Sequence, residues 1–144
     1  MIKLRLVTTL LFGGMLLMTS NISNAQQAAK VTSESLMQTG TSWDGSSYIS
    51  YPQGKPELSI LKITVPAHTT LGWHTHPVPN AAYVLSGHLT VEKQSDGSKK
   101  TIHAGETLAE TVGTVHRGFT EDEPVTLIVF YAGANGHPLS EASK

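Results

Sequence analysis

The sequence predicts an all-β sandwich or barrel, and three observations carry that expectation. Short β-branched and aromatic runs recur at close, regular spacing. Turn-forming Gly, Pro, Asn and Asp residues punctuate them. No window sustains the 3.6-residue apolar period of an amphipathic helix; Val31 to Met37 offers at most one helical turn.

The first strand is read from Leu58 to Val65 as a buried strand, where β-branched and apolar residues dominate and Pro66 ends the run. Strands are then expected at Thr70–His76, Ala81–Glu92, Lys99–His103, Thr107–Thr111, His116–Phe119 and Val125–Tyr131. The connections between them have turn chemistry: Pro77-Val-Pro79, Ser95-Asp-Gly97, Ala104-Gly105, Val112-Gly113 and Glu121 to Pro124. A short frayed end is expected from Ser140.

The N-terminus reads differently. Lys3 and Arg5 precede an apolar stretch from Leu6 to Met18, and Ser23-Asn-Ala25 places small residues at the −3 and −1 positions. That is the pattern of a secretory signal peptide cleaved before Gln26. The apolar run is short for a membrane span, and no cysteine is present to carry a lipid anchor. The expectation is export across the inner membrane to the periplasm, without a stable membrane anchor. Four segments follow: a signal peptide at 1–25, an N-terminal arm at 26–53, a β-barrel at 54–137 and a tail at 138–144. In the arm, Trp43, Tyr48 and Tyr51 need burial, which favours an arm laid over the barrel or over a second subunit.

The formal net charge is −1, and loss of Lys3 and Arg5 would make the chain more acidic. Without a basic cluster, nucleic acid is not expected as a partner. Zero cysteine excludes a disulfide framework and thiolate metal ligands, leaving imidazole, carboxylate and water.

His74-Thr-His76 then matters most. A strand alternates its side chains, so the two imidazoles project together while Thr75 faces away. Glu110 and His116 bracket a tight Thr111-Val-Gly-Thr-Val115 turn, which brings residues flanking it across from each other. Three imidazoles and one carboxylate from two hairpins make an N3O site with positions open to water or substrate. His68, His88, His103 and His137 read as surface residues. Tyr83, Val84, Leu85, Phe130 and Tyr131 read as core, and Trp73 should face away from the imidazoles. No Ser-His-Asp arrangement and no glycine-rich phosphate cradle emerge.

These residues resemble the cupin family. Its first motif is matched by His68-Thr-Thr-Leu-Gly-Trp-His74-Thr-His76-Pro-Val-Pro-Asn80, followed by Ala81 to Ser86 and Gly87. Its second is matched by Gly105, Glu106 to Glu110, Thr111-Val-Gly113-Thr-Val-His116, Arg117 to Phe119 and Thr120. Both keep the family spacing. His68 replaces a glycine, so its turn should be reshaped; Thr111 and Thr120 replace a proline and an asparagine. Asn80 stands where the family's metal-binding glutamate belongs, and a neutral amide is a poorer ligand for a divalent cation.

The resemblance implies a single-domain jelly-roll (double-stranded β-helix) barrel holding a divalent transition metal on His74, His76, Glu110 and His116. Glu110 would supply the carboxylate that Asn80 lacks; its other reading is an exposed carboxylate paired with Arg117. Asn80 and Tyr83 become candidates for contacting the ligand shell or the substrate. Iron or manganese is expected first, then zinc, nickel or copper. The resemblance implies dioxygenase-, decarboxylase- or isomerase-like chemistry on a small organic substrate. The alternative is a non-catalytic module that captures a small molecule or a metal. Sheet edges that pair between cupin subunits lead to the expectation of a homodimer.

Overall fold

In the computed structural model, residues 30–143 are described, so the expected signal peptide lies outside the described residues. The chain divides into two units, Met1–Ser33 and Glu34–Lys144. Residues 30–33 of the first are exposed and irregular. The second contains nine strands: β1 (Pro56–Val65), β2 (His74–Thr75), β3 (Asn80–Ser86), β4 (His88–Lys93), β5 (Lys99–His103), β6 (Thr107–Ala109), β7 (His116–Phe119), β8 (Val125–Ala134) and β9 (Glu141–Ala142). No helix forms among the described residues, the turn considered at Val31 to Met37 included, and none is present that could cross a membrane.

Two antiparallel sheets face each other. One has the order β1-β8-β3-β6 and the other β5-β4-β7-β2-β9. The all-β jelly-roll expectation is met. Alternation along β3 and β8 builds the core: Ala82 and Val84 of β3, and Leu127, Val129 and Tyr131 of β8, point inward. Leu89, Val91, Ile102 and Leu108 close the cluster from other strands. Burial of these side chains is the main stabilising term, at roughly 1.5–3 kcal/mol for each large aliphatic group. Val78, held between Pro77 and Pro79, is fully buried as well.

The segment read as one strand from Ala81 to Glu92 is two, split at Gly87. This glycine adopts φ +73°, and a Cβ there would strike the Pro124 carbonyl. At the other end of the first motif, His68, which stands where the motif has a glycine, adopts a left-handed backbone with φ +52°. The expected Thr70–His76 strand shrinks to an isolated Thr70–Phe119 bridge and the two residues of β2.

Residues 42–48 of the arm lie on their own barrel. The Trp43 amide donates to the Ala109 carbonyl at 2.9 Å, and the Trp43 side chain packs against the core. Asp44 caps the arm's turn through Ser42 Oγ at 2.7 Å and the Ser46 amide at 3.0 Å, and takes an ion pair from Lys93 at 3.3 Å. The Tyr48 hydroxyl donates to the Glu110 carbonyl at 2.6 Å, while Tyr51 stays exposed.

The tail differs from expectation. Instead of fraying after Ser140, residues 141–142 form β9 and pair with β2. Two short strands hold each other there, backed by the core contact of Leu139.

Candidate metal centre

Three elements deliver the imidazoles to one point. β2 carries His74, the turn that follows carries His76, and β7 places His116 directly opposite His74 in the strand register. Ring nitrogens of all three lie within 4.8 Å of one another. His76 and His116 are buried, and His74 is half-buried at the mouth.

The outer nitrogens of the rings are all occupied. Nδ1 of His74 bonds the Gly72 carbonyl at 2.8 Å, Nδ1 of His76 the Leu139 carbonyl at 2.8 Å, and Nδ1 of His116 the Thr114 carbonyl at 2.9 Å. A carbonyl only accepts, so each Nδ1 must be the donor. In the neutral ring the lone pair is thereby assigned to Nε2. Burial favours the neutral ring at two of them: it lowers the His76 pKa to about 4 and depresses that of His116 as well.

Glu110 follows β6 and approaches His116 from beside the cluster that the three imidazoles form. Its amide donates to the Asn80 carbonyl at 3.0 Å, and its Oε2 lies 3.4 Å from His116 Nε2. Both atoms are buried and lack a hydrogen-bond partner among the described residues. Two acceptors facing each other this closely need a proton or a cation between them. Burial pushes the Glu110 carboxyl up to about 7, so near neutrality a proton is easily exchanged for a metal. The residues present therefore fit a divalent cation.

The Thr111–Val115 turn is fixed at both ends. The Gly113 amide, at φ +70°, donates to the His76 carbonyl at 2.9 Å, and Thr111 Oγ1 lies 3.1 Å from His116 Nδ1. That turn ties the two metal-facing hairpins together. Arg117 is engaged elsewhere: it pairs with Glu92 at 2.7 Å and stacks 4.2 Å over Trp73. The alternative partner considered for Glu110 is thus taken, and Trp73 faces away from the imidazoles as expected.

A cavity of about 80 Å³ opens beside the imidazoles. Asn80, Glu110 and Tyr131 line it together with apolar residues such as Val91, Leu127 and Val129. Asn80 donates Nδ2 to the Val78 carbonyl at 3.3 Å, which orients the amide and leaves Oδ1 buried and unpartnered. Tyr83 does not reach this cavity. It is three positions from Asn80 on the same strand, so period-two alternation turns it to the outer face. Tyr131 takes the place foreseen for a tyrosine, with its ring 5.7 Å from that of His76. Its parity with Leu127 and Val129 was the available signal. His88 pairs with Glu123 at 2.6 Å and His103 with Glu106 at 3.3 Å, and neither lines the cavity.

Residues 61–131 match the family model of the cupin domain. The chain contains a cupin domain. No curated protein sequence matches it. Among solved structures, this chain is similar to the DMSP lyase DddQ from Ruegeria pomeroyi DSS-3, at 19% identity and a TM-score of 0.53, over 60% of this chain and 43% of that one. It is similar to the polyketide cyclase RemF from Streptomyces resistomycificus, at 16% identity and a TM-score of 0.53, over 63% of each chain. Oxalate decarboxylase from Bacillus subtilis, a protein with Mn(II) centres, gives 22% identity and a TM-score of 0.50 over 61% of this chain and 24% of that one. The chain spans less than half the length of the DMSP lyase and about a quarter of the decarboxylase. At such identities the likeness establishes the fold, which hosts many chemistries.

Proposed function

We propose that this protein is a metal-dependent cupin enzyme acting on a compact organic substrate that chelates its ion. The observation that carries the reading is the shared orientation of His74, His76 and His116. Each gives its Nδ1 proton to a backbone carbonyl and keeps Nε2 for the centre, where the unpartnered Glu110 carboxyl waits. These four side chains would hold the ion. An N3O donor set with open positions suits iron or manganese first, then zinc, nickel or copper. When bound, the ion supplies a Lewis-acidic or oxygen-binding centre.

The chain's other residues select and orient. The cavity of about 80 Å³, set against the roughly 150 Å³ that accommodates benzene, admits only the reacting end of a small substrate. Its apolar walls exclude water from the reacting group. Asn80 Oδ1 is a fixed acceptor that calls for a hydroxyl or amine donor on the substrate. Glu110 can hold a proton at Oε2 in the free protein and release it when the centre fills.

A non-catalytic binding module is the second reading. It is favoured by the cavity lining, in which Tyr131 is the one titratable side chain besides the four candidate ligands. Elemental analysis of untagged protein tests the metal: stoichiometric metal in the wild type and none in His76→Ala supports the centre. Turnover then separates the two readings. Oxygen uptake or product formation by iron- or manganese-loaded protein, over small hydroxy acids, oxoacids, diphenols and thiols, supports the enzyme. Binding without turnover across that panel supports the module.

The reading includes export to the periplasm, supported by the leader pattern at residues 1–25. It also includes a homodimer. Its support is the outer face of the β1 edge strand, where Leu58 and Ile60 are about two-thirds exposed. A groove of about 660 Å³ beside Phe130, Ile49 and Tyr51 extends that apolar face. Light scattering on a size-exclusion column checks the mass, and detection in a periplasmic fraction checks the location.

A further inference from the structure

The three imidazoles are not anchored alike. The carbonyls that orient His74 and His116 sit two residues away, at Gly72 and Thr114, within the same local segments. The carbonyl that orients His76 belongs to Leu139, 63 positions along the chain. His76 is therefore directed only while the C-terminal segment is in place.

That segment is tied to the same short stretch at further points. β9 pairs with β2, setting Ala142 opposite His74 and Glu141 opposite Thr75. The Ser143 amide donates to the Trp73 carbonyl at 2.9 Å. The His137 amide donates to the Ala134 carbonyl at 3.0 Å, turning the chain back at Gly136, whose φ is +87°. Leu139 packs against the core, while Glu141 and Ala142 are exposed. β2 is two residues long, and its ladder partners are β7 on one side and β9 on the other. A strand this short has little stability without both neighbours.

We infer that residues 137–143 form a strap whose docking sets the metal affinity of the centre, so that strap and metal bind cooperatively. The inference rests on the metal-binding reading of the site. Its physical basis is linkage. A docked strap fixes the His76 ring with Nε2 inward, and an undocked strap frees Nδ1 to turn toward solvent. A cation that needs Nε2 binds the docked state more tightly, and by reciprocity it holds the strap down. Leu139 is thus a positioning residue acting through its backbone. The strap is short and ends in exposed residues, so it belongs to the class of elements that open locally without global unfolding.

Two measurements on the exported form of the chain, tagged only at a removable N-terminal site, test the proposal. The first is calorimetric titration of Mn²⁺ into the wild type and into a chain ending after Pro138. Loss of the orienting carbonyl is expected to weaken Mn²⁺ binding about 10–100-fold, as found for groups that orient metal-bound histidines, with the metal-free circular dichroism unchanged. The second is hydrogen exchange of the intact wild type. Saturating Mn²⁺ is expected to slow exchange in the 137–144 peptide, and His116→Gln should abolish that slowing.

Equal Mn²⁺ affinity in both chains, with unchanged exchange in the tail, overturns the strap while leaving the centre intact. A wild type that binds neither Mn²⁺ nor Fe²⁺, Zn²⁺ or Co²⁺ overturns the centre, and the strap with it. Should the shortened chain not fold, the exchange experiment decides alone: metal-dependent protection supports the strap and its absence overturns it.

Discussion

His116 stands directly opposite His74 in the β2–β7 pairing, with ring centroids 4.6 Å apart. Cross-strand neighbours on one face are held at fixed separation by the ladder, so this pair is set by sheet geometry more than by loop conformation. The Thr114 carbonyl and Thr111 hydroxyl then orient His116 from behind. Replacing His116 with Gln should therefore cost more than the about 10–100-fold in metal affinity typical of an outer partner. Calorimetric titration with Mn²⁺ and metal content after dialysis check this.

Glu110 should be a stability defect in the metal-free protein. Its Oε2 is buried without a partner and faces another acceptor. Such a group costs about 1–3 kcal/mol. Glu110→Met is expected to stabilise the metal-free protein by about that amount in urea denaturation, while losing the stabilisation that added metal gives the wild type. A metal-free Glu110→Met protein less stable than the wild type would sink this account.

Metal affinity should fall with acidification, in two separable steps. The Glu110 carboxyl, raised to about 7 by burial, binds a proton that competes with the cation, so affinity weakens as pH drops through 7. His76, lowered to about 4 by burial, stays neutral until much lower pH and competes only there. Affinity is thus fully present above 7 and decreases up to tenfold per unit below it. Glu110→Gln should bind more weakly at pH 8 and lose the share of the pH dependence that Glu110 contributes near 7. Titrations in matched buffers at four pH values measure both profiles.

Asn80 should govern ligand choice without governing metal content. Its amide is oriented by the Val78 carbonyl, so the free Oδ1 accepts but cannot donate. For the Mn²⁺-loaded protein, lactate is expected to bind about tenfold more tightly than pyruvate, the value of one net hydrogen bond of about 1.4 kcal/mol. Asn80→Leu should erase that difference and retain Mn²⁺. Loss of Mn²⁺ from Asn80→Leu would instead make Asn80 a ligand.

Much of the architecture was legible because its signals are local. Alternation in β3 and β8, and glycine or proline between runs, follow from backbone sterics over a few residues; β1, read as buried, is instead largely exposed at the sheet edge. His74, His76, Glu110 and His116 could be singled out because a strand period and a tight turn each act over short separations. Gly87 was visible as a motif glycine, but its role in dividing β3 from β4 depends on Pro124 lying against it. Tyr83 was misplaced although its parity relative to Asn80 was available. Leu139 was missed; an apolar residue after Pro138 in a polar tail was its only mark.

The sequence by itself determined an all-β chain with an imidazole pair on one face and a carboxylate and third imidazole across a turn. Periodicity and turn sterics are short-range, and a single chain states them directly. Only the tertiary structure decided which way the His76 ring faces, what Arg117 and Tyr48 bind, and that the tail returns to His76. Those outcomes depend on contacts between residues about 25 to 63 positions apart, such as Glu92 with Arg117 and His76 with Leu139. Their geometry is set by closure of the two sheets over a common core, which no local pattern encodes.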